Sequence, residues 1–280
     1  MILGFLGKGG SGKSTVATQM ALWLHDQGKE VLAIDADHNM DLVFNLTSGN
    51  PSRVQPFGDS LSDLYRYLNL PTNATYRDIF FDEQLQRPLR VGESEYLTTY
   101  THKHEPRMSL MAAGPQTDAV LYGKSCSHVL TTPLKVVLPL LNLSANQVVV
   151  VDEKAGADGV TTGIVTGIDV GVIVVEPAVH SLKTGKQIAE LLAFYETPHV
   201  FVANKIQDAD DIAFVSQQLQ GEPVAVLGAA KAVQRSPDTL SADWADQLRV
   251  VAEAAQSQNR SDRLMRTREK FRRNREFFAE

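Results

Sequence analysis

The feature that most constrains this chain is a glycine-rich segment near its start, which reads GKGGSGKST over residues 7–15. It follows an apolar run at 2–6 and precedes a helical pattern at 16–25. From Gly7 to Ser14 the spacing is G-x-x-x-x-G-K-[ST], which is typical of a phosphate-binding loop between a strand and a helix. Glycines let backbone N–H groups surround phosphate oxygens, and the helix N-terminus adds partial positive charge. The segment therefore predicts a strand, a phosphate-binding loop and a helix.

The loop also predicts individual ligands of a nucleoside triphosphate and its metal ion. Lys13 is expected to reach the β- and γ-phosphates, and the hydroxyl group of Ser14 is expected to bind Mg²⁺. The other loop residues that we expect to contact the nucleotide are Gly7, Gly9, Gly10, Ser11 and Gly12.

A dinucleotide-binding fingerprint is the alternative interpretation of this segment. Gly7, Gly9 and Gly12 also fit G-x-G-x-x-G, and Asp35 and Asp37 follow at about the distance where that fingerprint has an acid. That fold leaves the Lys-Ser pair after the third glycine unexplained, whereas a triphosphate-binding loop requires it. The triphosphate interpretation is therefore favoured.

The composition bounds the class of protein. Of the 280 residues, 43% are hydrophobic and 21% are charged, which is typical of a globular protein. The net charge of −6 argues against a broadly basic nucleic-acid-binding surface. No apolar stretch reaches the roughly 18 residues of a membrane-spanning helix, and no signal-peptide pattern precedes the first strand. Since Cys126 is the single cysteine and cannot form an internal disulfide, we expect a cytoplasmic protein.

Apolar, strand-like runs alternate with helical patterns along the chain. The runs lie at 2–6, 31–35, 109–113, 148–152, 170–176, 199–203 and 223–227, and the helical patterns at 14–27, 133–143, 181–195 and 208–220. Near-continuous Val, Ile and Leu runs are typical of parallel strands that are buried on both faces. The alternation predicts an α/β fold: a doubly wound, mostly parallel sheet flanked by helices, in a single domain.

Two parts of the chain depart from that alternation. Residues 47–106 are irregular, with short helices expected near 61–70 and 75–81, and we interpret them as an insertion that flanks the nucleotide site. Residues 260–280 are expected to form a basic C-terminal helix that follows an ATPase domain at 1–259. Its spaced apolar residues Leu264, Phe271 and Phe278 suit packing against the domain or a partner better than membrane anchoring.

Carboxylates end two of the predicted strands. Asp35 and Asp37 follow the second strand, and Asp152 ends the apolar run at 148–152. The carboxyl ends of parallel strands face the ligand crevice, so Asp35 and Asp152 are expected near Mg²⁺, in part through water. Asp37 is expected to orient the water that attacks the γ-phosphate. Gly156, four residues after Asp152, is expected to let a backbone N–H approach the γ-phosphate. Turn or helix-capping roles remain open for Asp35 and Asp37.

An asparagine ends a later strand. Asn204 follows the run at 199–203, and its amide carries both a donor and an acceptor that suit the edge of a purine base. A simple turn residue is the alternative interpretation.

The second lysine of the loop carries a resemblance to a known class. With Lys8 the segment resembles the deviant Walker A motif of the MinD, ParA and nitrogenase iron protein class, and the later Asp-Ala-Asp, Asp-x-x-Ala-Gly and Asn-Lys motifs follow in the expected order. The resemblance implies a Mg²⁺-dependent ATPase that binds ATP or ADP and forms a homodimer in the ATP state. It implies that Lys8 reaches phosphates of the partner subunit, and that Thr15 contacts the α-phosphate.

Within this class the chain is most similar to the accessory ATPases of carbon monoxide dehydrogenase nickel insertion. That group carries a Gly-x-x-Cys-x-Cys metal motif at the dimer interface. Here Cys126 is present, and His128 stands where the second cysteine would be. A Cys and a His from each subunit would suit Zn²⁺ or Ni²⁺. The alternative interpretation is that Cys126 is a small buried residue and His128 a residue at a helix N-terminus. A bridging iron–sulfur cluster is not expected, because the chain has one cysteine.

Three functions follow from these motifs. The first is an ATP-hydrolysing accessory factor for metalloenzyme maturation or metal insertion, with a protein client. The second is a positioning ATPase that acts at a membrane or DNA surface. The third is a regulatory or assembly ATPase without metal cargo. The acidic motifs favour the first, and no specific nucleic-acid partner is expected.

Overall fold

A mostly parallel sheet forms the centre of the molecule. The computed structural model describes residues 1–116, 118, 122, 127–157, 160, 164–230, 233, 235–260 and 262–277. In this part of the chain the sheet has eight strands: β1 (Ile2–Gly7), β2 (Glu30–Asp35), β3 (His102–Glu105), β4 (Met108–Ala112), β5 (Gln147–Asp152), β6 (Val170–Val175), β7 (His199–Ile206) and β8 (Ala225–Gly228). Their order is β3-β4-β2-β5-β1-β6-β7-β8, and only β3 runs antiparallel to its neighbour. The predicted fold class is confirmed.

Helices connect these strands and cover both faces of the sheet. In the described part of the chain they are, in order, α1 (Lys13–Asp26), α2 (Asp41–Leu46), α3 (Leu61–Leu68), α4 (Glu95–Tyr100), α5 (Leu134–Leu140), α6 (Val179–Phe194), α7 (Ala209–Leu219), α8 (Ala242–Gln258) and α9 (Arg263–Phe277). The four helical patterns of the sequence correspond to α1, α5, α6 and α7. In the described part of the chain, no helix has the length and apolar character that crossing a membrane requires.

Alternation along each strand separates two hydrophobic layers. In β1, Leu3 and Phe5 pack into the layer that contains α1, α2 and α8. Ile2 and Leu6 point to the other face, where α5, α6, α7, α9 and the segment 47–106 form the second layer. Both layers are buried, which explains why the central strands read as continuous apolar runs in the sequence.

β3 was not predicted from the sequence. Its residues read HKHE and alternate between half-buried and exposed positions, so it has no apolar face. It forms the edge of the sheet through antiparallel pairing with β4. Charged residues are typical of edge strands because they oppose pairing with other chains, but they hide such a strand from an apolar-pattern search.

The segment 47–106 is a packed part of the second layer. Its helix α3 is close to the predicted position, whereas the second predicted helix is only a 3₁₀ turn at Asp78–Phe80. Leu64, Ile79, Phe80 and Leu97 of this segment are completely or almost completely buried. The segment thus contributes core to the face of the sheet opposite α1.

The basic C-terminal helix α9 is held against the domain by buried polar contacts. The guanidinium group of Arg263 donates to both carboxylate oxygens of Asp169, at 2.6 and 2.8 Å. Asp169 Oδ2 also accepts the backbone N–H of Ile2 at 2.7 Å, so this carboxylate joins α9 to the start of β1. Arg266 donates to the Thr197 hydroxyl and to the Ile168 carbonyl.

Apolar contacts complete the docking of α9. Phe271 is buried, and its ring centroid lies 5.4 Å from that of Phe80 and 5.8 Å from that of Tyr76. Leu264 is half-buried against the same layer. The third spaced apolar residue of the tail, Phe278, lies outside the described residues. Within the described residues, the tail therefore uses Arg263, Arg266 and its apolar residues Leu264 and Phe271 in contacts with the chain itself.

Arg263→Ala should lower the free energy of unfolding by about 3 kcal/mol, because it leaves the buried Asp169 carboxylate without its cation. Urea unfolding followed by circular dichroism measures the change. Arg268→Ala is the matched control, since Arg268 is an exposed arginine of the same helix. Equal losses in the two variants would show that the Arg263–Asp169 contact does not anchor α9.

Candidate nucleotide-binding site

The glycine-rich loop lies between the end of β1 and the start of α1, at the carboxyl edge of the sheet. Gly10 and Gly12 have φ angles of 85° and 89°, which favour glycine. At Gly12 a β-carbon would also lie 2.2 Å from Nδ2 of Asn204, so the close packing of the loop requires glycine there. Ser11 N–H donates to the Lys8 carbonyl at 3.1 Å, which closes the turn. The local sequence therefore forms the predicted curled loop ahead of a helix N-terminus.

Lys13 and Asp152 form a buried ion pair in this site. Lys13 is the first residue of α1, and its ammonium group donates to Oδ1 of Asp152 at the end of β5. Burial alone would lower the pKa of Lys13, but the carboxylates of Asp152, Asp35 and Asp37 together raise that pKa above its ordinary value. Lys13 thus carries a positive charge that contacts Asp152, one of the predicted Mg²⁺ ligands. The predicted site residues Asp35 and Asp37 also attract this charge electrostatically.

Asp35 anchors the loop that follows β2. It pairs with Asp152 across the sheet, and burial, reinforced by the Asp152 charge, raises the pKa of Asp35 well above its ordinary value. Its Oδ1 accepts the N–H of Asp37 and its Oδ2 accepts the N–H of Val43, both at 3.1 Å. Both carboxylate oxygens therefore accept hydrogen bonds from backbone N–H groups. This is the turn or capping role that the sequence left open for Asp35. Its role near a Mg²⁺-bound water stays a prediction.

Asp37 lies in the loop that Asp35 anchors. It is 8% exposed, its Oδ1 accepts the N–H of Asn39 at 3.3 Å, and the same oxygen lies 3.2 Å from Nδ1 of His38. Because its charge contributes to the raised pKa of Lys13, Asp37 belongs to the same electrostatic environment as the glycine-rich loop. Its role toward the attacking water stays a prediction.

Two oxygens at the loop are buried without hydrogen bonds among the described residues: Oδ2 of Asp152 and Oγ of Ser11. Unpartnered buried oxygens are costly, and oxygen ligands are those that Mg²⁺ prefers. The hydroxyl oxygen of Ser14 lies 3.3 Å from Nζ of Lys13, beside the same carboxylate. These residues fit a Mg²⁺–triphosphate complex, which Ser14 and Asp152 would hold together with phosphate oxygens. Thr15 is half-buried in the first turn of α1.

Asn204 lies against the loop rather than in an open turn. It is 4% exposed, and its Nδ2 donates to the Ser11 carbonyl at 2.9 Å. The donor half of the amide therefore holds the loop, which leaves Oδ1 as the acceptor for a ligand. The predicted contact with a purine edge is untested by this geometry.

Lys8 contacts only its own loop in the described structure. Its Nζ lies 3.4 Å from the Gly9 carbonyl, and within the described residues it forms no ion pair. Gly9 and Gly10 beside it are exposed. The structure places Lys8 at the surface of the loop. Its contact with phosphates of a partner subunit stays a prediction.

The predicted transition-metal ligands cannot be placed, because Cys126 and the side chain of His128 lie outside the described residues. Within the described part, no group of three or more His, Cys, Asp or Glu side chains is arranged to hold a metal ion. Mg²⁺ sites that use one or two protein side chains and substrate phosphates need no such group.

Sequence reasoning assigned no role to Glu153, and it placed the N–H of Gly156 near the γ-phosphate. Glu153 follows Asp152 directly after the end of β5; it is 1% exposed, and its Oε1 has no hydrogen-bond partner in the described structure. Gly156 N–H donates to the Gly7 carbonyl at 2.9 Å, so this amide ties the segment after β5 to the glycine-rich loop. A charged residue next to a strand end was the available signal for Glu153.

Comparison with known proteins identifies the class that this fold and site define. Residues 5–248 match the CobQ/CobB/MinD/ParA nucleotide binding domain. The chain belongs to this family, and the class predicted from the deviant Walker A motif is confirmed.

Two curated relatives align over most of the chain. The carbon monoxide dehydrogenase accessory protein CooC of Rhodospirillum rubrum is 26% identical over 220 residues, which cover 77% of this chain and 78% of CooC. An uncharacterized ATP-binding protein of Methanocaldococcus jannaschii is 25% identical over 236 residues, which cover 84% of this chain and 90% of that protein.

Solved structures share the fold at lower identity. A complex of a Cyanothece McdA variant with ATP has a TM-score of 0.60 at 14% identity and covers 92% of this chain and 96% of that one. The septum site-determining protein MinD of Pyrococcus horikoshii, solved with Mg-ADP, has a TM-score of 0.57 at 16% identity, with coverage of 90% and 94%. These similarities establish the fold of the sheet and its flanking helices.

Glu153 should make stability depend on pH. Burial raises the pKa of Glu153 to about 8, so the folded state binds more protons than the unfolded state between the two pKa values. The contribution of Glu153 to stability is therefore greatest below its ordinary pKa and is lost as the pH rises toward 8. Between about pH 5 and about pH 8, the free energy of unfolding of the wild type should fall by about 3 kcal/mol relative to that of Glu153→Gln. Urea unfolding at each pH measures this difference.

The control for this comparison is Glu190→Gln, which changes an exposed glutamate on α6. A wild type and a Glu153→Gln variant whose stabilities run parallel across this pH range would contradict the raised pKa.

Proposed function

We propose that the protein is a Mg²⁺-dependent, ATP-hydrolysing switch that acts as a homodimer in the cytoplasm. The observation that carries this proposal is the convergence of Lys13, Asp152 and Asp37 beside the glycine-rich loop, with buried oxygens that lack partners in the described part of the chain. Membership of a nucleotide-binding family and similarity to an ATP-binding protein support the choice of ATP as the ligand.

In the proposed mechanism, residues of this chain bind the phosphates and position the attacking water. Loop N–H groups and the N-terminus of α1 bind phosphate oxygens, and Lys13 exchanges its Asp152 carboxylate for the β- and γ-phosphates. Bound Mg²⁺ supplies positive charge that offsets the charge developing on the phosphates. Asp37 accepts a hydrogen bond from the attacking water and holds it in line with the γ-phosphate.

Lys8 explains why activity would require two subunits. In one chain its ammonium group contacts the Gly9 carbonyl, and within the described residues no carboxylate fixes it. Extra positive charge at a transferring phosphoryl group accelerates the reaction. A lysine that provides this charge only across a closed dimer would couple hydrolysis to assembly.

Asn204 supports adenine as the base. Since its Nδ2 is used on the Ser11 carbonyl, Oδ1 is the group that faces a ligand as an acceptor. The exocyclic amine of adenine donates, whereas guanine presents an acceptor at that position.

Lys13→Ala should abolish ATP binding, because it removes the phosphate-contacting cation. Lys8→Ala should bind ATP nearly as well as the wild type. Its rate of hydrolysis should fall about hundredfold, and it should no longer dimerise when ATP binds. Calorimetry, phosphate release and light scattering on a sizing column measure the three properties.

Lys183→Ala, an exposed lysine on α6, is the matched control for both variants. Circular dichroism checks that Lys13→Ala is folded, since this change also leaves Asp152 unpaired. Normal turnover by Lys8→Ala would refute the shared active site.

We further propose that the client is a metalloenzyme and that the switch serves its maturation or metal insertion. The CooC relative supports this role, as do Cys126 and His128 in the chain. The contacts that hold α9 against the domain weigh against a membrane anchor. A positioning ATPase and an assembly ATPase without metal cargo are the other candidates, and the MinD-like fold favours the former.

The metal proposal predicts that the ATP-bound protein binds about one Zn²⁺ or Ni²⁺ per two chains through thiolate and imidazole ligands. Cys126→Ser and His128→Ala should each weaken binding, measured by competition with a colorimetric chelator. His180→Ala, an exposed histidine on α6, should not. Absence of stoichiometric binding in the wild type would exclude a metal cargo at this motif and favour the other two candidates.

A further inference from the structure

The end of β7 has an unusual backbone next to the glycine-rich loop. Lys205 has a φ angle of 61°, a left-handed value that is strained for a residue other than glycine. The pairing of β7 with β8 shifts register between Ala203 and Ile206, which brackets this residue. Strain of this kind persists when the surrounding structure fixes it.

The side chain of Lys205 reaches the loop. Its Nζ donates to the Gly10 carbonyl at 2.5 Å and to Oε2 of Glu176 at 2.7 Å. The preceding residue, Asn204, donates to the Ser11 carbonyl. Two consecutive side chains thus hold two consecutive carbonyl groups of the loop.

Glu176 is itself fixed in place. It follows β6, and its backbone N–H donates to the hydroxyl of Ser181 in the first turn of α6, at 3.1 Å. Its side chain is 20% exposed, against 43% for Lys205, so the pair is partly shielded from solvent. Glu176 is therefore positioned to orient the Lys205 ammonium group toward Gly10.

Holding these carbonyl groups orients the loop's donors. In a trans peptide the carbonyl and the following N–H point in opposite directions. When the Ser11 carbonyl is drawn toward β7, the Gly12 N–H points away from β7. When the Gly10 carbonyl is held as well, the left-handed turn at Gly10 is fixed. Oriented N–H groups of this kind are what bind a phosphate anion.

We propose that Lys205, oriented by Glu176, is a positioning residue that orders the glycine-rich loop for phosphate binding. The proposal rests on the proposed nucleotide-binding function and assigns a further determinant of that site. Lys205 acts through the Gly10 carbonyl, whereas Lys13 acts on the phosphates themselves. A charge-assisted hydrogen bond at this position lowers the entropy that the loop loses when nucleotide binds.

Lys205→Met tests the proposal, because it keeps the length of the side chain and removes the charge. We expect the Kd for both ATP and ADP to rise about tenfold, since the loop loses one charge-assisted hydrogen bond. Lys205→Arg should recover most of the affinity, and Glu176→Gln should give a smaller loss than Lys205→Met. Tm should stay near the wild-type value in all three variants, because both side chains are partly exposed.

Hydrogen–deuterium exchange of residues 7–15 without nucleotide is the second measurement. Exchange should increase in Lys205→Met and not in the control Lys183→Met, which removes an exposed lysine on α6. Unchanged exchange in Lys205→Met, or unchanged affinity where the wild type binds ATP, would overturn the positioning role. A wild type that binds no ATP would overturn the proposed function, and the exchange result would then decide the positioning role by itself.

Discussion

The buried pair between Lys13 and Asp152 connects the two halves of the site. Lys13 begins the helix after the loop, and Asp152 ends the strand beside β1, so their contact fixes the loop against the sheet. Both side chains are almost completely buried. In such an environment an unpaired charge would be strongly destabilising. A phosphate that replaces the carboxylate must supply an equivalent interaction. The pair therefore favours anionic ligands that bring their own counter-cation for Asp152.

Other contacts extend this arrangement to the neighbouring segments. Asp35 fixes the start of α2, Gly156 ties the segment after β5 to Gly7, and Asn204 holds Ser11. Each contact joins one loop at the carboxyl edge of the sheet to another or to its neighbouring helix. Two of these contacts, from Gly156 and from Asn204, reach the glycine-rich loop itself, so hydrogen bonds connect that loop directly to the segment after β5 and to the end of β7.

The sequence predicted the parts of the molecule that depend on local pattern. Seven strands were visible as apolar runs because burial on both faces requires them to be apolar, and the loop was visible because its glycines and lysine have fixed spacing. β3 was missed because an edge strand needs no apolar residues. The hydrogen bond from Asn204 to the loop and the burial of Glu153 were missed because they depend on which neighbour a side chain meets, and that is set by the tertiary fold.

The aspartates show the same limit within the site. Their positions at strand ends were predictable, and Asp152 does lie beside Lys13. The pattern could not tell that Asp35 uses both oxygens on backbone N–H groups, because this depends on the path of the chain from Ala36 to Val43.

The bridge from Arg263 through Asp169 to the N–H of Ile2 has a consequence for synthesis of the chain. It joins two residues between which all the other strands of the described sheet lie in the sequence. A ribosome exposes β1 and the glycine-rich loop before these strands, but Arg263, which completes the anchor of β1, emerges only after them. The order of translation thus separates the appearance of the nucleotide loop from the closure of the strand that supports it.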